Sequence, residues 1–84
     1  MKEDFKQLKK QIGEKIAEKR KELEITQTEL AERAGLSQAH ISKIEIGNCM
    51  PRLDILIKIS NALECDVCEL LKDFKNEKNT NNKK

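Results

Sequence analysis

The sequence predicts an all-α protein, a compact bundle of five helices. Three observations carry this: apolar residues recur at spacings of three and four almost throughout, helix-capping signals punctuate those runs, and no stretch alternates as a strand would. Eighty-four residues suit one small domain, expected over 1–74, with 37% hydrophobic and 38% charged residues supplying a modest core.

Phe5, Leu8, Ile12, Ile16 and Leu23 form an apolar stripe among Lys, Glu and Gln, which predicts a first helix over about 5–23, with Asp4 and Gln7 able to cap its start. Arg20 stands four residues after Ile16 on the same line, so its guanidinium needs an acidic partner in or beside the core. Thr26-Gln27-Thr28-Glu29 is a capping box with Ile25 and Leu30 as its hydrophobic staple. The second helix then runs to about Ala34, where Gly35 suits a left-handed stop. Ser37 caps a third helix, with Leu36 and Ile41 as staple, so only a tight glycine turn separates helices two and three.

Gly47-Asn48-Cys49-Met50-Pro51 reads as a loop, since Pro51 disfavours helix at Met50. Leu53, Ile55, Leu56, Ile57, Ile59, Ala62 and Leu63 make a strongly apolar fourth helix. Asp66-Val67-Cys68-Glu69 is a second capping box, stapled by Cys65 and Leu70, that starts a short fifth helix to about Phe74. Residues 75–84 have nothing apolar to bury and are expected to form a disordered Lys/Asn-rich tail.

Composition removes several function classes. Aromatics at 2%, with no Trp or Tyr, argue against a stacking platform for single-stranded nucleic acid. No apolar run approaches the ~20 residues of a membrane span, and the opening Met1-Lys2-Glu3-Asp4 lacks the apolar stretch of a secretory signal, so a cytoplasmic protein is expected. Cys49, Cys65 and Cys68 are an odd count and read as reduced thiols. Charge is uneven: residues 1–21 carry eight Lys/Arg against four Asp/Glu, residues 22–71 four against nine, and residues 72–84 five against two. A polyanion must therefore be met by local arrangement rather than by overall attraction. One histidine, no nucleophile–base pair and no phosphate-cradling glycine loop argue against an enzyme.

The segment Thr26-Gln27-x-Glu29-Leu30-Ala31-x-x-Ala34-Gly35-Leu36-Ser37-Gln38-x-x-Ile41-Ser42-x-Ile44-Glu45-x-Gly47 resembles the phage-repressor and Cro-like (XRE) helix-turn-helix family. The resemblance covers about residues 8–72, with Pro51, the apolar fourth helix and Ala62-Leu63 before Asp66 also in pattern. It implies a lambda-repressor-like bundle with the motif in helices two and three. The implied function is a sequence-specific, double-stranded-DNA-binding regulator, a repressor acting on a palindromic operator as a homodimer, with no cofactor, metal or ligand domain.

The motif's physics points the same way. Ala31 is small where helices two and three must approach, and Ile41 and Ile44 face the core, which turns Gln38, Ala39, Ser42 and Lys43 outward. An exposed first turn suits the DNA major groove, where Gln38 matches adenine, Lys43 matches guanine and the Ala39 methyl matches that of thymine. The resemblance makes Gln38, Ala39 and Lys43 the usual base readers and Gln27 a phosphate anchor. Ser42 is a further base-reading candidate; His40, Asn48 and Arg52 are candidate phosphate contacts. It also offers Glu45 as the buried partner of Arg20. The expected dimer surface is Val67, Leu70, Leu71 and Phe74.

Three departures from the family pattern stand out. Arg52 occupies a cap position that often holds Ser or Thr, and Glu64 a position that often holds Gly. Lys43 is the one fixed cation of the third helix, which leaves much of the electrostatic load to the first helix. There Lys9, Lys10, Lys15, Lys19 and Lys21 read mostly as a solvated face, with those nearest the DNA-facing end in reach of phosphate. A zinc set of Cys65, Cys68, Cys49 and His40 is disfavoured, because Cys65 serves as a staple and His40 faces away from it. Two rival functions are an antitoxin that binds both DNA and a toxin, and a helix-turn-helix used for protein–protein binding.

Overall fold

The computed structural model describes residues 2–71, with side chains from Phe5 onward. Among them it holds five helices and no strand: α1 (Lys2–Glu22), α2 (Gln27–Ala34), α3 (Gln38–Glu45), α4 (Leu53–Ala62) and α5 (Val67–Leu71). Phe74 and the expected tail lie outside the described residues.

α1 starts earlier than expected, so Asp4 lies inside the helix and not at its cap. Nothing in Lys2-Glu3-Asp4 breaks a helix, and a capping residue favours a start without forcing one. Ile12 and Ile16 of α1 join Leu30, Ala31 and Ala34 of α2, Ile41 and Ile44 of α3, Leu56 and Ile59 of α4, and Leu70 in one buried core. Phe5, expected on the buried stripe, is more than half exposed, more than a turn before Lys10, where the loop after α3 packs. The fourth helix is more one-sided than its composition suggests: Leu53 and Ile57 stay exposed while Leu56 and Ile59 are buried.

Four helices end in the same Schellman turn, in which the amide just past the helix and the next one reach back to its last carbonyls. The bonds are Glu24 N to Lys21 O and Ile25 N to Arg20 O after α1, and Gly35 N to Glu32 O and Leu36 N to Ala31 O after α2. After α3 they are Gly47 N to Ile44 O and Asn48 N to Lys43 O, and after α4 Glu64 N to Asn61 O and Cys65 N to Ser60 O. The left-handed residue is Gly35 or Gly47 in two turns, but Glu24 (φ 60°) and Glu64 (φ 61°) in the others.

The capping boxes divide likewise. At α2 both bonds form, Glu29 N to Thr26 Oγ1 at 3.0 Å and Thr26 N to Glu29 Oε1 at 2.8 Å. At α5 the Glu69 amide donates to the Asp66 carbonyl, and the Glu69 carboxylate accepts from Lys19 Nζ at 2.7 Å, tying α5 to α1.

Candidate nucleic-acid interface

α3 is positioned from three sides. Ser37 Oγ accepts from His40 N at 3.1 Å and fixes the start of the helix, while fully buried Ile41 and Ile44 fix its roll. The third constraint lies at its end, where α1 crosses. A Cβ on Gly13 would collide with the Ile44 carbonyl oxygen and stand 2.7 Å from that of Glu45, so only glycine permits this approach. Sequence reasoning passed over Gly13, although an isolated glycine within a helical pattern is itself a signal of close packing.

The roll leaves Gln38, Ala39 and Lys43 exposed on the outer face, with Ser42 half-buried beside them. Behind this face runs a chain of side chains. Arg20 Nε donates to Glu45 Oε2 at 2.7 Å and Nη2 to Glu45 Oε1 at 3.1 Å, a two-point pair whose side chains are 13% and 5% exposed. Arg20 Nη1 also donates to the Ile25 carbonyl at 2.9 Å, so the guanidinium closes the turn between α1 and α2 as well. Glu45 Oε1 accepts from Gln27 Nε2 at 2.9 Å, and Gln27 Oε1 accepts from Gln38 Nε2 at 2.7 Å. The order is chemically forced: a carboxylate only accepts, so Gln27 turns its amide nitrogen toward Glu45 and leaves its oxygen for Gln38. Spacing in the sequence did not foresee this relay, since Gln27 and Gln38 lie eleven residues apart on different helices.

The remaining candidates are more scattered. Asn48, exposed, follows α3 directly. Arg52, 81% exposed, pairs with Asp54 at 3.1 Å and makes no cap bond; the Asp54 carboxylate accepts from the Ile55 amide instead. The His40 ring is half-buried, with Nε2 4.0 Å from Cys49 Sγ, and so turns toward the loop rather than fully outward. Burial pushes the Cys65 thiol up, the nearby Glu69 charge adding to it, so this sulfur packs as a neutral group. Among the described residues no three of His, Cys, Asp and Glu are grouped to hold a metal, and no helix is long and apolar enough to cross a membrane.

The expected dimer surface needs correction. Leu70 is 2% exposed and fills the core between α5 and α1, Val67 is half-buried, and Phe74 lies outside the described residues. Leu71 is exposed, and α4 adds Leu53 (66%) and Ile57 (43%) to the exposed apolar surface.

Known proteins share this helix-turn-helix fold. A family model described as helix-turn-helix matches residues 16–70. The transcriptional repressor RstR of the cryptic phage CTXphi, from Vibrio cholerae, is 37% identical over 59 residues, 70% of this chain and 53% of that protein. The chain thus spans about half the length of that relative. The structure of the P22 c2 repressor in complex with a synthetic operator is 38% identical, covers 73% of this chain and 92% of its own, and superposes with a TM-score of 0.68. The restriction-modification controller protein C.AhdI from Aeromonas hydrophila is 26% identical with a TM-score of 0.73, over 74% of this chain and 94% of that one.

Proposed function

This chain belongs to the phage-repressor and Cro-like helix-turn-helix family, and from that premise we propose that it is a transcriptional regulator of repressor type that binds double-stranded DNA sequence-specifically. The observation that carries the reading is Gln38, exposed on the first turn of α3 yet held by Gln27. An amide side chain has two N–H groups and two oxygen lone pairs, so one bond to Gln27 leaves Gln38 an N–H and its oxygen. Adenine presents the complementary acceptor and donor, N7 and the N6 amino group, in the major groove. Holding the side chain in advance removes part of the ordering cost of binding. Gln27 keeps one N–H after its bond to Glu45, and that hydrogen serves a phosphate. Glu45 would otherwise repel DNA, but Arg20 neutralises it.

In this reading Gln38, Ala39, Ser42 and Lys43 meet base edges, and Gln27, His40, Asn48 and Arg52 meet the backbone. Two copies acting together double a readout that one helix leaves too short, and the exposed Leu53, Ile57 and Leu71 supply their apolar surface. Selection from a random duplex library at near-physiological salt tests all of this. The expected result is an enriched palindrome with half-sites roughly 34 Å, one helical turn, apart. No enrichment would sink the DNA-reading function, and an enriched single half-site bound by a sedimenting monomer would sink the dimer.

A further inference from the structure

The turns of α1 before the family match, residues 6–10, form one wall of a groove whose other wall is the loop that leaves α3. Lys6, Lys9 and Lys10 line it from α1; Ile46, Gly47 and Asn48 line it from the loop. The walls pack closely: a Cβ on Gly47 would stand 3.2 Å from Lys10 Cα. No carboxylate lines the groove, and among the described residues Lys6 and Lys10 pair with none. The Lys9 ammonium lies 5.8 Å over the Phe5 ring, which props its stem without neutralising its charge. Three ammonium groups with no carboxylate partner among the described residues thus stand against this loop, in a chain whose described centre is acidic.

We infer that this groove binds the phosphate backbone flanking the bases read by α3, extending the DNA interface along α1 beyond the helix-turn-helix itself; this rests on the function proposed above. Dimensions support the placement. An eight-residue helix is about 12 Å long, and the major groove is about 12 Å wide. With the first turn of α3 on base edges, its far end therefore reaches the groove wall, where phosphates lie. The carbonyl end of a helix disfavours an anion, and the lysines offset that field. The same three residues resolve the shortage of cations on α3, where Lys43 stands alone.

The test compares the full chain with a Lys6→Gln, Lys9→Gln, Lys10→Gln variant by anisotropy titration on the selected duplex over a range of salt. Lys6 and Lys10 are exposed and Lys9 is half-buried, and an unchanged melting curve confirms that the variant folds. The expected result is a plot of log affinity against log salt whose slope falls by about 0.9 for each lysine engaged, with the preference for cognate over scrambled duplex unchanged. Trimming the flanking base pairs should erase the difference between the two proteins. An unchanged slope in a chain that still selects its operator would overturn this inference alone, and a wild-type chain that binds no duplex would overturn it together with the proposed function.

Discussion

The half of the molecule built from α1, α2 and α3 and the half built from α4 and α5 follow different rules. In the first, α2 has a complete capping box, Ser37 caps α3, both helices end on glycine, and a buried ion pair binds α3 to α1. In the second, α4 starts on an arginine that makes no cap bond, ends on a left-handed glutamate, and leads to a short helix that Lys19 ties to α1 through Glu69. Local preference and tertiary packing agree where the recognition helix must be held still. Where they disagree, packing of Leu56, Ile59, Leu63 and Leu70 supports elements that their own termini do not.

Breaking the first half should cost most. Glu45→Ala strands the Arg20 guanidinium and the Gln27 amide, and urea unfolding should show a loss of about 3 kcal/mol, with strong coupling to Arg20→Ala in a double-mutant cycle. Additive single effects would deny that the pair is a clamp. Gly13→Ala comes next. Intrinsic helix propensity alone predicts a gain of about 1 kcal/mol, whereas overpacking against two backbone carbonyls predicts a net loss of about 2 kcal/mol. The sign of the measured change decides whether the α1–α3 crossing is as close as described.

The second half has room for improvement, which sharpens the contrast. Glu64→Gly should stabilise the protein by up to about 1 kcal/mol by relieving a left-handed glutamate; Glu24→Gly should do the same after α1, the one turn of the first half that ends on a left-handed glutamate. Arg52→Ser should add about 0.5 kcal/mol as an N-cap, since the exposed Arg52–Asp54 pair it removes is worth little. Denaturant midpoints measured side by side would rank these three changes. No gain from any glycine or cap substitution would show that the two halves are equally well fitted.

The same contrast explains what was legible in the sequence. Thr26, Glu29, Gly35 and Ser37 act within a turn or two of their own position, so their pattern alone located α2, the turn and α3. Glu64 stood out as a residue in a glycine's place, but Glu24 did not, because nothing local distinguishes a left-handed glutamate from a helical one. The Arg20–Glu45 pairing came from the family resemblance, not from spacing. The Gln27–Gln38 bond and the Gly13 crossing depend on how three helices meet, and Leu70 was misassigned to a dimer surface because an apolar stripe does not say which neighbour covers it. The lysine groove is invisible for the same reason, its walls lying more than thirty residues apart in the chain.

The central claim is that Gln38, held by Gln27, reads one base pair. The most direct test titrates wild type and Gln38→Ala against the selected operator and every single-base substitution of one half-site. Gln38→Ala should cost about 1–3 kcal/mol on the cognate site and abolish discrimination at one position while leaving the others intact. A uniform loss across all duplexes, or full discrimination retained at every position, would contradict it.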